Sequence, residues 1–170
     1  MRRVAALLML APAFALVLGA LAGPARASDW GLIAPGKSTT DAVRARYGQP
    51  TRAAAQKVEG YDAAQWVYEG AQAPRGISKM TVDFGLLGGA GYKKDVVRSF
   101  QLDLKPGAFN RKLVLDGWGD PTKVGRDGEH EIFLYQDGLL VYFDKEGKNA
   151  QLMIFTLPQP PTATPPRPQR

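Results

Sequence analysis

Residues 35–51, PGKSTTDAVRARYGQPT, and residues 106–122, PGAFNRKLVLDGWGDPT, are one pattern written twice, 71 positions apart and without a gap. Pro-Gly recurs at 35–36 and 106–107, Val43 matches Val114, and Tyr47 matches Trp118. Gly48 matches Gly119, and Pro50-Thr51 matches Pro121-Thr122. Each copy spells a short capped helix. Pro-Gly turns the chain, and Thr39 or Asn110 supplies a side-chain oxygen for an orphan amide of the first turn. Val43 and Tyr47, like Val114 and Trp118, stand four apart on one helical face. Glycine then stops the helix, with proline two residues later barring continuation.

The same stretch carries a second signal. Gly31, Gly36, Lys37 and Ser38 satisfy the phosphate-loop spacing G-x-x-x-x-G-K-[ST]. A phosphate loop needs a buried strand leading into it, so that the loop sits at a helix N-terminus. No strand fits before Gly31, and the second copy has Ala108 and Phe109 where Lys37 and Ser38 stand. What recurs is the turn and the cap, so no nucleotide site is expected.

After each helix the apolar period switches from helical to alternating. Strands are predicted at 65–69, 79–84 and 96–104, and again at 131–136, 139–144 and 151–157, with Gln136-Asp137-Gly138 as a tight turn. The predicted fold class is α+β, with two tandem units of a helix plus a three-stranded antiparallel meander and the helices on one face of a curved sheet. The units span 28–105 and 106–157. Residues 85–95, GLLGGAGYKKD, read as a long glycine-rich loop that presents Leu86, Leu87 and Tyr92 to a partner. The second unit's strands are apolar on both sides, so Phe133, Tyr135 and Tyr142 are either core or an aromatic contact surface.

The ends of the chain speak to compartment. Arg2-Arg3, an apolar run from Val4 to Leu21 and Ala25-Arg26-Ala27 predict a signal peptide over 1–27 cleaved after Ala27, and hence a periplasmic or secreted protein. The 170-residue chain has no cysteine, which removes thiolate metal sites, cysteine nucleophiles and an acylated N-terminal anchor. Of its 22 basic residues, 19 remain after the leader against 16 acidic ones. Two of those, Arg167 and Arg170, lie in a proline-rich tail at 158–170, which is expected to be disordered or polyproline II. The nearly neutral remainder gives no footing for nucleic acid.

Chemistry is sparse. His130, the single histidine, stands with Asp127, Glu129 and Glu131, but their spacing matches no zinc template and suits a turn before a strand. No metal, cofactor or catalytic residue is assigned.

The run PGKSTTDAVRARYGQPT…AAQWVYE…KMTVDF…VVRSFQL resembles the SmpA/OmlA family of outer-membrane assembly modules, with Thr39, Val43, Gly48, Pro50, Trp66, Tyr68 and Phe84 at matching positions. In tandem it resembles the β-lactamase-inhibitor-protein fold. The resemblance implies a non-catalytic envelope-assembly or protein-binding module with an envelope protein as partner. A periplasmic hydrolase using carboxylates, or an inhibitor of a periplasmic enzyme, is the alternative.

Overall fold

The computed structural model describes residues 30–158. The leader and cleavage site expected at 1–27 lie outside the described residues, as does the tail from 159 onward. Within them, α1 (Thr40–Tyr47) precedes β1 (Arg52–Val58), β2 (Tyr61–Glu69), β3 (Ile77–Gly88) and β4 (Gly91–Leu104). Then α2 (Arg111–Trp118) precedes β5 (Lys123–Asp127), β6 (His130–Leu134), β7 (Leu139–Phe143) and β8 (Ala150–Phe155).

Both helices form as their caps dictate. The Thr39 hydroxyl accepts from the Ala42 amide and the Asn110 carbonyl oxygen from the Leu113 amide. Gly48 and Gly119 close the helices at φ of 76° and 74° with ψ of −157° and −163°. Only glycine enters that region without strain, because a Cβ would collide with its own backbone.

The strands do not close into two three-stranded meanders, and this corrects the predicted fold. All eight form one antiparallel sheet in the order β1-β2-β3-β4-β8-β7-β6-β5, joined at its centre by the β4–β8 pairing, Phe100 against Phe155. The two strands missing from the prediction, β1 and β5, are its edges. Their sequences, RAAAQKV and KVGRD, are exposed along most of their length, so neither carries the alternation that marks a half-buried strand.

The core lies between the helices and one face of this sheet. Val43 and Val114, both fully buried, share a cluster with Tyr68, Met80, Val82, Phe84, Phe100, Leu102, Leu139, Val141, Phe143, Met153 and Phe155. Phe100 stacks on Phe155 with ring centroids 4.4 Å apart, so aromatic contact crosses the central seam. Arg111 of α2 lies 4.6 Å from the Phe133 ring centroid, pairs with Glu131 and donates to the Gly147 carbonyl at 3.1 Å. Arg44 of α1 lies 4.9 Å from the Trp66 ring centroid on the same side of the sheet. Both helices therefore cover one face.

Candidate functional site: the open sheet face

Successive residues of a strand point to opposite sides, and paired residues on neighbouring strands share a side. The face away from the helices can therefore be read across the sheet. One row runs through Arg52, Val67, Thr81, Gln101, Ile154, Leu140, Leu134 and Lys123. The next runs through Glu69, Lys79, Asp103, Leu152, Tyr142, Ile132 and Gly125.

The two halves of this face differ in kind. On β1 to β4 a network of polar side chains lies beside Val67 and the stacked rings of Tyr61 and Tyr92. Asp83 accepts from Gln56 at 3.2 Å, from Gln65 at 3.0 Å and from Ser99 at 3.4 Å. Lys79 pairs with Asp103 at 2.9 Å, Gln101 donates to Asp103 at 3.0 Å, and Arg52 pairs with Glu69 at 3.3 Å. On β6 to β8 the same face carries Ile132, Leu134, Leu140, Tyr142, Leu152 and Ile154. Ile132 keeps 8% of its surface and stands apart from the main core cluster, and the other five are half-buried. No helix or strand among the described residues lies over them. The boundary falls between β4 and β8.

The expected partner-binding residues divide sharply. Phe133 and Tyr135 are 2% and 6% exposed and point into the core, where Phe133 meets Phe143 edge to face. They are not available to a partner. Tyr142 pairs with Ile132, not with the Phe133 side, and stands on the open face. Leu86, Leu87 and Tyr92 belong to no long loop: Leu86 pairs with Lys93, Leu87 with Tyr92 and Gly88 with Gly91, so β3 and β4 run on to a hairpin tip. Tyr92 stacks on Tyr61 with centroids 4.4 Å apart and donates to the Asp62 carbonyl at 2.5 Å. Gly85 stays glycine because a Cβ there would sit 2.3 Å from the Tyr92 hydroxyl, at φ 93°. Glycine thus lets an aromatic lie flat across the hairpin; it does not make a floppy loop.

Five members of the apolar patch, Ile132, Leu134, Leu140, Leu152 and Ile154, were not singled out from sequence. Their signal was present in strands apolar on both sides. Which side would meet the helices depended on register.

Elsewhere the chemistry is structural. In the phosphate-loop-like segment the Gly36 amide donates to Val97, those of Lys37 and Ser38 donate to Ala34, and the Ser38 hydroxyl accepts from the Ala34 amide at 3.0 Å. Those donors close a turn and tie it to β4. His130 Nδ1 lies 2.8 Å from the Phe143 carbonyl and so carries a proton, while Glu131 is held by Arg111. Burial pushes the Tyr68 and Tyr135 hydroxyls up to about 12. A cleft of about 230 Å³ beside Asp144, Asn149 and Gln151 is walled by a turn. There the Asp144 carboxylate already accepts from the Lys148 amide at 2.7 Å and from Asn149 at 2.9 Å and 3.1 Å.

No protein-family model matches the chain. No curated protein matches it either. Among solved structures it is similar to YjgB, a DUF4309 family protein of Bacillus subtilis subsp. subtilis str. 168, at 14% identity and a TM-score of 0.46, over 74% of this chain and 82% of that one. The fold is a single eight-stranded sheet. This corrects the resemblance to the SmpA/OmlA family and to the β-lactamase-inhibitor-protein fold. The residues that carried it are caps, stops and core positions: Thr39 and Gly48 bound a helix, and Val43, Tyr68 and Phe84 are fully buried.

Proposed function

We propose that the chain is an exported, non-catalytic module that binds a segment of an envelope protein through the open face of β6, β7 and β8. One observation carries this reading: five aliphatic side chains and a tyrosine ring are contiguous on a face that the helices leave bare, beside a polar half whose groups bond to one another. An apolar patch rimmed by polar groups is the ordinary anatomy of a recognition surface. The perturbed groups support the same reading, because Tyr68, Tyr135 and Asp144 are each committed to bonds that hold turns and helix ends. Export is the leader's contribution. Among the described residues no helix is long and apolar enough to cross a membrane.

The test compares the immobilised chain with its Leu140→Asp/Ile154→Asp variant in envelope extract, with thermal melting to show that both are folded. Proteins retained by the first and lost by the second are the expected result. Equal recovery on both would remove the face from the reading.

A further inference from the structure

The sheet has two edges, and they are finished differently. At one, β5 is five residues long and carries charge at Lys123, Arg126 and Asp127. Shortness and charge are the ordinary means of keeping another strand off an edge. At the other, β1 runs seven residues, with Ala53, Ala54 and Ala55 all exposed, and pairs with β2 without a bulge. Its two cations are paired with β2, Arg52 with Glu69 and Lys57 with Asp62. Among the described residues no strand pairs with its outer side.

The groups it offers follow from the hairpin. Alternate residues of an antiparallel pair exchange both backbone bonds, and those between them turn N–H and C=O the other way. Glu59 and Gly60 form a two-residue turn with φ of 51° and 86°, which makes Val58 and Tyr61 a bonded pair. Counting back, Gln56, Ala54 and Arg52 are also bonded to β2. The same count turns Glu69 toward the β1 side, where its amide and carbonyl meet the Thr51 hydroxyl at 3.0 Å and 3.2 Å. Lys57, Ala55 and Ala53 therefore present their N–H and C=O groups to the free edge.

This row is complementary to itself. Set antiparallel to its own copy with Ala55 opposite Ala55, the strand brings Ala53 opposite Lys57, and all three residues find partners for both backbone groups. Between them Ala54 meets Gln56 and Arg52 meets Val58, so no charge faces its like. The relation is a two-fold, and the edge left on each copy is the guarded one, β5. The assembly closes at two.

We propose that β1 pairs with β1 of a second copy, antiparallel and centred on Ala55, so that one sheet runs through both chains. Paired residues share a side of a sheet, so the helices of both copies lie on one side and both apolar faces on the other. The edge buries less than the about 800 Å² per partner of a stable interface, so the dimer forms and parts readily.

Sedimentation velocity of the chain from Ser28 to Arg170, at up to about 1 mM, should show monomer and dimer in exchange. A chain that stays monomeric overturns the pairing, whatever peptide that edge takes. Ala55→Pro removes an outward N–H and no bond to β2, so thermal melting should show a folded chain while association falls at least about tenfold. Association equal to the parent's overturns the proposal. Ala55→Lys and Ala55→Glu keep every amide and decide the register even where the proline variant fails to fold. Each alone sets like charges together on the two-fold and should associate at least about tenfold more weakly; mixed in equal amounts, they should recover most of the parent's association. A mixture no stronger than either variant alone overturns the register. The Leu140→Asp/Ile154→Asp variant should dimerise like the parent, whatever becomes of partner binding. Its failure to do so would place the contact on the apolar face and overturn the β1 pairing.

Discussion

The Tyr68 hydroxyl donates to the carbonyl of Gly48 across 3.2 Å, tying the end of α1 to the second strand of the sheet. Tyr135 does the same for α2, reaching the Gly119 carbonyl at 3.0 Å. Each helix is eight residues long, too short to persist in water alone, so this bond and the buried valine do much of the anchoring.

Tyr68→Phe and Tyr135→Phe should each destabilise the fold by about 1 kcal/mol, the usual net worth of one such bond, in denaturant titrations. The pH dependence has a definite sign. Burial raises both hydroxyls to about 12, chiefly because the charged form loses hydration. The folded state thus favours the protonated phenol, so this contribution is complete below pH ~10 and is lost as pH rises toward ~12. The double phenylalanine variant should lose that alkaline component, and a variant that keeps it would show another group to be responsible.

Val43→Asp and Val114→Asp should both be severe, at about 4 kcal/mol or more, because each places an unpaired carboxylate in a fully buried position. Thermal melting of the two variants side by side checks this. A mild effect at either site would mean that its helix is not seated on the core.

Leu139 and Leu140 are adjacent in sequence and opposite in fate. Leu139 is fully buried on the helix side, and Leu140 stands on the open face. Leu139→Asp should prevent folding at ordinary temperature, whereas Leu140→Asp should change stability by about 1 kcal/mol or less. If the two cost the same, the face assignment is wrong.

Arg111→Lys should not be conservative. The guanidinium lies 4.6 Å and 5.2 Å from the Phe133 and Phe143 ring centroids while bonding Glu131 and the Gly147 carbonyl. A lysine cannot stack and fork at once, so a loss of about 1–2 kcal/mol is expected from denaturant titration.

The helices were legible because their signals are local. Thr39 and Asn110 cap, Gly48 and Gly119 stop, and each acts within one turn of the chain whatever surrounds it. Tyr142 was also visible as a candidate, but it was grouped with Phe133 and Tyr135, which the register sends to the other side. The edge strands β1 and β5 left no periodic trace, since a strand exposed on both sides has no reason to alternate.

Sequence alone therefore determined where two short helices begin and end, that the chain has no thiol chemistry, and that the later strands are apolar on both sides. Only the tertiary structure decided that eight strands make one sheet and that Ile132, Leu134, Leu140, Tyr142, Leu152 and Ile154 share the face away from the helices. Those outcomes depend on pairings between residues far apart, such as Phe100 with Phe155, and a shift of one residue would exchange the two faces.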